Sequence, residues 1–402
     1  VSGSANTALG KSTLLKNTAA NNTAVGHNAL TCNTSGTCNV AVGFCALKTQ
    51  TAANQNTAIG TLSMAATTSG IRNVAVGRQS MCANTTGCCN VAMGSNALAS
   101  GTTGDFNVAV GGAALGSVNT GNCNTAVGAC AMNTNTSGAN NVAVGKDSLK
   151  ANTTGTQIVA IGTLALDANT SGNELTAMGY NSLGANTTGC YNVAVGDNAL
   201  AANTTGNDNT TIGMRSLLNN TTGTNNTSVG RNALRENTTA ANNTAVGLSS
   251  LACNTTGTLN TMVGSCSGFA MTTGQQNSGI GINTFQANTT GSRNSTVGAS
   301  SLATNISGSD NTAFGHAALG ANTTASNNTA VGRASMQTNT TGTSNVAVGF
   351  KSLLTNTTGG NNVSLGLCSL FSNTTASDNT AIGGVALLSN TTGADNTSVG
   401  SG

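Results

Sequence analysis

Small, β-branched and glycine residues recur along this chain at a fixed spacing. The motif Asn-Thr/Val-Ala-Val-Gly reads NTAVG at Asn22, NVAVG at Asn192 and NTSVG at Asn396, and it occurs in 24 copies. Neighbouring copies lie 17 residues apart, except for one interval of 16 between Asn6 and Asn22. A strict short period is typical of a solenoid, in which one coil cannot bury its own apolar side chains and must stack on its neighbours.

The motif itself predicts one short strand per coil. We number each repeat from its Asn, so that Asn192 is position 1 and Asp208 is position 17. Position 2 is Thr, Val or Ser, position 3 is nearly always small, position 4 is Val, Leu, Ile, Met or Phe, and position 5 is always Gly. Alternate residues of a strand share a face, so we expect positions 2 and 4 (Val193 and Val195) to point into the coil and position 3 (Ala194) to point outward. The invariant Gly predicts a corner with positive φ.

The second half of the repeat is equally regular. Position 8 is Ala, Ser or Thr, and position 9 is nearly always Leu or Met, with departures at Gly268 and Phe285. This pairing of a small with a large residue predicts a thin, well-packed core with position 9 inside. Positions 12 to 15 usually read Asn-Thr-Thr-Gly, as in residues 84–87. In such a turn Asn bonds its own backbone and tolerates the left-handed region, and Gly accepts positive φ. Positions 6 and 10 vary freely and are expected to face solvent.

These patterns predict an all-β fold, a parallel β-solenoid of about 24 coils with 17 residues each, over residues 1–402. We expect a single continuous solenoid and a segment of a longer fibre protein. At a rise of ~4.8 Å per coil it would be roughly 115 Å long. Proline is absent, as expected where nearly every N–H joins a ladder. The Asn columns at positions 1 and 12 can stack amide on amide.

Charge and composition disfavour several functions. Lys and Arg number 13 and Asp and Glu number 10, so the net charge of +3 is too dilute for a nucleic-acid interface. No run of about 20 apolar residues occurs, so we expect no membrane insertion. The two histidines, His27 and His316, both fall at position 6 and lie far apart, and the acidic residues are scattered. Catalysis or metal binding needs convergent groups, so we expect no enzyme activity, no metal site and no cofactor.

Twelve cysteines suggest cross-links between or within coils. Cys32 and Cys38 bracket the first NTSG turn, and this pair is the preferred disulfide. The other candidates are Cys82 with Cys88 or Cys89, and the residues Cys123 and Cys130, which repeat the offset between Cys38 and Cys45. An even cysteine count outside the cell fits disulfides. The alternative is that these residues are small hydrophobic fillers.

The position-12 Asn forms an Asn-x-Ser/Thr sequon in 17 coils. Candidates for partial N-glycosylation include Asn33, Asn84, Asn152, Asn254, Asn339 and Asn390. The alternative is a structural Asn whose side chain bonds the backbone of its corner, because glycans ~4.8 Å apart on successive coils would be crowded.

The Asn-Thr/Val-Ala-Val-Gly motif, followed by a small residue and Leu, resembles the head repeat of trimeric autotransporter adhesins. The combination of NTAVG, an Ala-Leu pair and NTTG is also similar to repeat tracts of phage and viral tail fibres. The resemblance implies a β-roll and an extracellular or virion-surface fibre. It also implies a homotrimer, and we expect position 3 to lie near the shared axis. A single-chain rod is the alternative.

The leading interpretation is a non-catalytic structural shaft of an extracellular, appendage or virion-surface fibre. Its partners would be copies of itself and other fibre or surface components. One alternative is an adhesin that binds a receptor through variable coil positions, although aromatic residues such as Phe44, Tyr180, Tyr191 and Phe350 are dispersed along the sequence. A second alternative is an ice-binding solenoid, because Thr-rich coils can present columns of Thr.

Overall fold

The structure, a computed structural model, describes residues 3–117 and 120–401. The described chain consists of strands, turns and bends, and it contains no helix. It divides into two compact units, Val1–Thr205 and Gly206–Gly402. Each unit is a parallel β-solenoid, so the predicted all-β solenoid is confirmed. One continuous solenoid over the whole chain stays a prediction.

In the first unit, each strand pairs in parallel with the next one along the chain. Ala41 of one strand lies opposite Ala58 of the next, one repeat later. The strands are β1 (Thr7–Leu9), β2 (Thr23–Val25), β3 (Val40–Val42), β4 (Thr57–Ile59), β5 (Val74–Val76), β6 (Val91–Met93), β7 (Val108–Val110), β8 (Thr125–Val127), β9 (Val142–Val144), β10 (Val159–Ile161), β11 (Thr176–Met178) and β12 (Val193–Val195).

The second unit repeats this arrangement, and Ala330 there lies opposite Ala347. Its strands are β13 (Thr210–Ile212), β14 (Thr227–Val229), β15 (Thr244–Val246), β16 (Thr261–Val263), β17 (Ser278–Ile280), β18 (Ser295–Val297), β19 (Thr312–Phe314), β20 (Thr329–Val331), β21 (Val346–Val348), β22 (Val363–Leu365), β23 (Thr380–Ile382) and β24 (Thr397–Val399).

The core of each coil is built from positions 3, 8 and 9. Ala194, Ala199 and Leu200 are all 0% exposed. The prediction that position 9 is inside is confirmed. The prediction for the strand is wrong, because Val193 and Val195 are only half-buried and lie on the outer face. Position 3 is therefore part of the core and cannot form an outer face for another chain.

The width of the coil explains why the small residue is inside. The position-9 side chain already fills the space beneath the strand: a Cβ added at Gly279, a position-3 residue, would lie 3.1 Å from Cδ2 of Phe285 in the same coil. A Val or Ile in that place would overlap the position-9 residue. The strand therefore turns its alanine inward and its branched side chains outward.

Three positions of the coil adopt positive φ, and apart from Gly268 at position 9 the residues there are not glycine. The non-glycine residues at positions 7, 9 and 17, exemplified by Asn28, Leu30 and Cys38, have φ between 46° and 63°. The expectation that the Asn and Gly of the NTTG turn take this conformation is wrong. Left-handed backbone costs a non-glycine residue roughly 1–2 kcal/mol, and at Leu30 complete burial offsets that cost.

The invariant glycine at position 5 has positive φ, as predicted. Gly230 has φ 134°, and a Cβ there would lie 2.7 Å from the carbonyl carbon of Gly247 in the next coil. Position 15 differs, because Ala replaces Gly there in five coils, for example at Ala240. Position 5 thus combines an unfavourable backbone conformation with a close approach of two coils. A Cβ at Gly223, a position-15 residue, would also lie 2.3 Å from the carbonyl oxygen of Ala240, but its φ is not positive, so the backbone conformation distinguishes position 5.

We predict that Gly230→Ala lowers the free energy of unfolding by about 1–3 kcal/mol, because the new side chain meets both constraints. Gly223→Ala, at position 15, is the matched control and should cost clearly less. Denaturant unfolding followed by circular dichroism measures both. Equal losses for the two variants would contradict the strained-corner explanation.

Gly268 and Phe285 depart from the usual size at position 9, and in each case the position-3 residue of the same coil departs in the opposite direction. In the coil that begins at Asn260, Met262 is large where Ala is usual and Gly268 is small where Leu is usual. In the next coil the sizes are reversed at Gly279 and Phe285. The Met262 sulfur lies 2.6 Å from the place of a Cβ on Gly279. Total core volume is thereby conserved across two coils.

We predict strong coupling between Met262→Ala and Gly268→Leu. The first change alone opens a cavity and should cost about 2–5 kcal/mol, and the second alone overpacks the coil and should cost about 1–3 kcal/mol. The double variant should lose less than the sum by at least about 1 kcal/mol. A double-mutant cycle on the unfolding free energy checks this, and simple additivity would show that the two residues do not share one space.

Candidate functional site

The asparagine at position 1 forms a buried ladder from coil to coil. Oδ1 of Asn22 accepts the backbone N–H of Asn39 at 3.0 Å and its Nδ2 at 3.1 Å. Nδ2 of Asn39 also donates to the carbonyl of Ala53 at 2.9 Å. Both asparagines are 0% exposed. Each amide thus forms hydrogen bonds with backbone N–H and C=O groups that are buried in the narrow interior, where water cannot reach them.

A second ladder runs through position 12. Nδ2 of Asn152 donates to Oδ1 of Asn135 at 2.9 Å and to the carbonyl of Gly155 at 3.1 Å. Oδ1 of Asn152 in turn accepts from Nδ2 of Asn169 at 3.0 Å. The predicted amide columns at positions 1 and 12 are confirmed within the units.

These contacts bear on the predicted glycosylation sites. Asn33, Asn84, Asn152, Asn254 and Asn339 are at most 2% exposed, and each Nδ2 donates a hydrogen bond to the backbone of its own turn. Asn390 is half-buried. The geometry favours the structural interpretation of this Asn, and glycosylation stays a prediction that the burial opposes.

The position-12 ladder is interrupted at Met271. An Asn at residue 271 would donate its Nδ2 to Oδ1 of Asn254, but the Met271 side chain has no N–H to donate. Oδ1 of Asn254 therefore has no hydrogen-bond partner among the described residues. Nδ2 of Asn277 lies 3.8 Å from the Met271 sulfur. A buried acceptor without a donor costs about 1–3 kcal/mol.

The structure holds all twelve cysteines as free thiols. Of the candidate disulfide residues, Cys38 and Cys123 are exposed, and the others are half-buried; these are Cys32, Cys82, Cys88, Cys89 and Cys130. The predicted disulfide pairings stay predictions.

Several of these thiols have a role of their own in the ladder. Cys88, at position 16, accepts the N–H of Ile71 at 3.5 Å, and Cys190 accepts the N–H of Asn173 at 3.3 Å. Asn and Asp side chains accept the same N–H in other coils, for example Asp105 from Cys88 at 2.7 Å. Burial raises the pKa of the Cys82 thiol. Sequence reasoning missed this acceptor role at position 16, although the frequent Asn, Asp and Ser there indicate it.

The outward face of the strands, positions 2 and 4, is uncharged, and we call it the sheet face. Position 2 carries Thr, Val or Ser, and position 4 is always apolar. Ile280 is 49% exposed and Phe314 is 40% exposed. A shallow hollow of about 180 Å³ lies between these two side chains. Exposed position-4 side chains of the first unit are Leu9, Ile59, Met93, Val127, Val144 and Met178; those of the second are Ile212, Ile280, Val297, Phe314, Val348, Ile382 and Val399.

Position 6 is exposed in most coils, as predicted. His27 stacks on Phe44 of the next coil, with ring centroids 5.6 Å apart, and His316 is exposed in the second unit. Ion pairs lie at the surface. Arg293 donates to both carboxylate oxygens of Asp310 at 2.7 and 2.8 Å, and these hydrogen bonds lower the pKa of Asp310.

The described residues contain no group of three His, Cys, Asp or Glu side chains arranged to hold a metal ion. In the same residues, no helix is long and apolar enough to cross a membrane. A second shallow groove, of about 310 Å³, runs over three coils of the second unit along positions 7, 10 and 11. Comparison with known proteins finds no matching family model and no similar curated protein.

We predict that Met271→Asn stabilises the protein by about 1 kcal/mol, because the new amide gives Asn254 Oδ1 a donor and restores the ladder. Met271→Leu, which restores no hydrogen bond, is the control and should not stabilise. Thermal unfolding of the two variants beside the parent chain measures the difference. A lower melting temperature for Met271→Asn than for Met271→Leu would contradict the prediction.

Proposed function

We propose that this chain is a non-catalytic structural segment of an extracellular, appendage or virion-surface fibre. The proposal rests on one observation: the buried polar side chains form their hydrogen bonds with the neighbouring coil. The position-1 and position-12 amides bind the neighbouring coil, as Asn39 binds Asn22 and Asn152 binds Asn135. A chain built this way gains the same stabilising contacts with every added repeat, which suits a spacer of adjustable length.

The variable surface supports the same function. The exposed position 6 carries Lys, His, Phe, Thr, Arg, Ser, Tyr or Asp in different coils of the first unit, without changing the fold of the coil. A structural element needs this tolerance, because its fold depends on the inner positions alone.

We further propose that copies of the chain associate through the sheet face. Position 3, which the sequence suggested for this contact, lies inside the coil. The sheet face instead offers partly exposed aliphatic side chains such as Ile280 and Val297, with no charge among them. An uncharged face with a continuous column of partly exposed apolar side chains at position 4 fits a site of protein contact. A single-chain rod is the alternative that the experiment below separates.

Ice binding has less support. The Thr hydroxyl at position 13 donates to a carbonyl of the next coil, as Thr153 does to Thr170 at 2.9 Å. The sheet face varies in size from Val297 to Phe314 within two coils. Its position-2 column mixes Thr and Ser with Val. A face that is uneven in hydroxyls and in height fits a protein partner better than an ice lattice.

The experiment determines where the protein is located and, separately, the mass of the assembly that it forms. Gold-labelled antibodies against the chain should mark filaments on the outside of the native cell or particle in electron micrographs. Native mass spectrometry of the purified chain should give an oligomer that Ile280→Lys with Val297→Lys converts to a folded monomer. Ile282→Lys, at the exposed position 6, is the matched control and should leave the oligomer intact. Label confined to the cell interior would contradict the fibre, and a monomeric parent chain would contradict association through the sheet face.

A further inference from the structure

Stacking of coils brings together three residues that are separated in the sequence. Arg333 and Phe350 both occupy position 6 of adjacent coils, and Lys351 follows at position 7. The guanidinium carbon of Arg333 lies 5.9 Å from the centroid of the Phe350 ring. The ammonium nitrogen of Lys351 lies 5.3 Å from the same centroid. Two cations therefore share one partly exposed aromatic ring.

The surroundings leave this charge without a counter-ion from the same face. Positions 6 to 11 contain no Asp or Glu in the five coils that begin at residues 294, 311, 328, 345 and 362. His316 extends the position-6 column by one coil beyond Arg333, and Leu367 extends it on the other side. Like charges held close together repel, and a bound anion would relieve that repulsion.

A groove lies on the coils that begin at residues 294, 311 and 328, and the last of these coils also carries Arg333. It has a volume of about 310 Å³ and is lined by Ser300, Ala303, Thr304, Ala317, Gly320, Ala321, Gln337 and Thr338. Small residues at positions 7 and 10 create the groove, since Ala317 and Gly320 stand where other coils carry larger side chains. The lining is mainly apolar, and the Thr304 and Thr338 hydroxyls donate to backbone carbonyls. The Ser300 hydroxyl and the Gln337 amide offer polar contacts to a ligand.

We propose that Arg333, Phe350, Lys351 and the adjoining groove form a binding site for an acidic carbohydrate. The two cations would bind a sulfate or carboxylate group, the Phe350 ring would stack against a sugar face, and the groove would take the neighbouring sugar. This activity goes beyond the structural role proposed above and does not depend on it.

The cluster fits a saccharide better than a nucleic acid. A nucleic-acid strand requires a row of cations along its phosphates and several aromatic platforms for its bases. Positions 6 to 11 of the coils that form the cluster and the groove hold only Arg333, Lys351, one phenyl ring and the single imidazole of His316. A shallow, mainly apolar groove near a small cationic site can take the C–H face of one or two acidic sugar units, with Ser300 and Gln337 for polar contacts.

The test measures binding of fluorescent saccharides to the full chain by anisotropy. A heparin-derived tetrasaccharide supplies sulfate groups, sialyllactose supplies a carboxylate, and lactose is the neutral control. Saturable binding of either acidic probe, with none of lactose, is expected, and the probe that binds identifies the anionic group. Arg333→Gln and Lys351→Gln should each weaken binding about tenfold or more, and Phe350→Ala at least about threefold.

Arg231→Gln is the matched control, because Arg231 is also an exposed position-6 arginine of the second unit. It should leave binding unchanged, and circular dichroism should show that every variant remains folded. The proposal is overturned if neither acidic probe binds saturably, or if Arg231→Gln weakens binding as much as Arg333→Gln. Binding of a single-stranded oligonucleotide as tight as that of the saccharides would equally overturn it.

Discussion

The structure depends on backbone hydrogen bonds between successive coils. The N–H of Thr23 donates to the carbonyl of Asn39 at 2.8 Å, and the N–H of Gly43 donates to the carbonyl of Val25 at 2.8 Å. Such bonds fix each coil one repeat from the next and place every side chain on its own counterpart. The invariant Gly and the amide ladders follow from this stacking, because only some residues tolerate a copy of themselves at so short a distance.

A narrow interior is the second consequence. Alanine at position 3 and leucine at position 9 leave little apolar volume, so buried amides replace much of the hydrophobic core that a wider fold would have. The substitutions around Met262 and Gly268 show how little freedom remains, since a larger residue at one position accompanies a smaller one at the other. Close packing of the core and the need to hydrogen-bond every buried polar group therefore both restrict the residues allowed inside the coil.

The repeat alone predicted the class of fold, the amide columns, the positive φ at the Gly corner and the burial of Leu200. It predicted the wrong inner face of the strand, because alternation shows that Val193 and Val195 share a face but not which face is inside. Side-chain size then misled, since Ala194 looks less hydrophobic than its neighbours. The left-handed conformation of Leu30 has no signal in its residue type, whereas the frequent Asn at position 7, as in Asn28, does indicate one.

Surface chemistry in this fold arises between coils, and the linear sequence conceals it. Arg333 and Phe350 are 17 residues apart and appear unrelated until the repeat places them on one column. The position-6 side chain belongs neither to the amide ladders nor to the core. Substitutions there therefore alter the surface without altering the fold. A few such substitutions in adjacent coils suffice to assemble a charged and aromatic cluster. A structural solenoid can thus acquire a binding site by changes that its stability does not oppose, and function in such a chain is best sought along columns of variable positions.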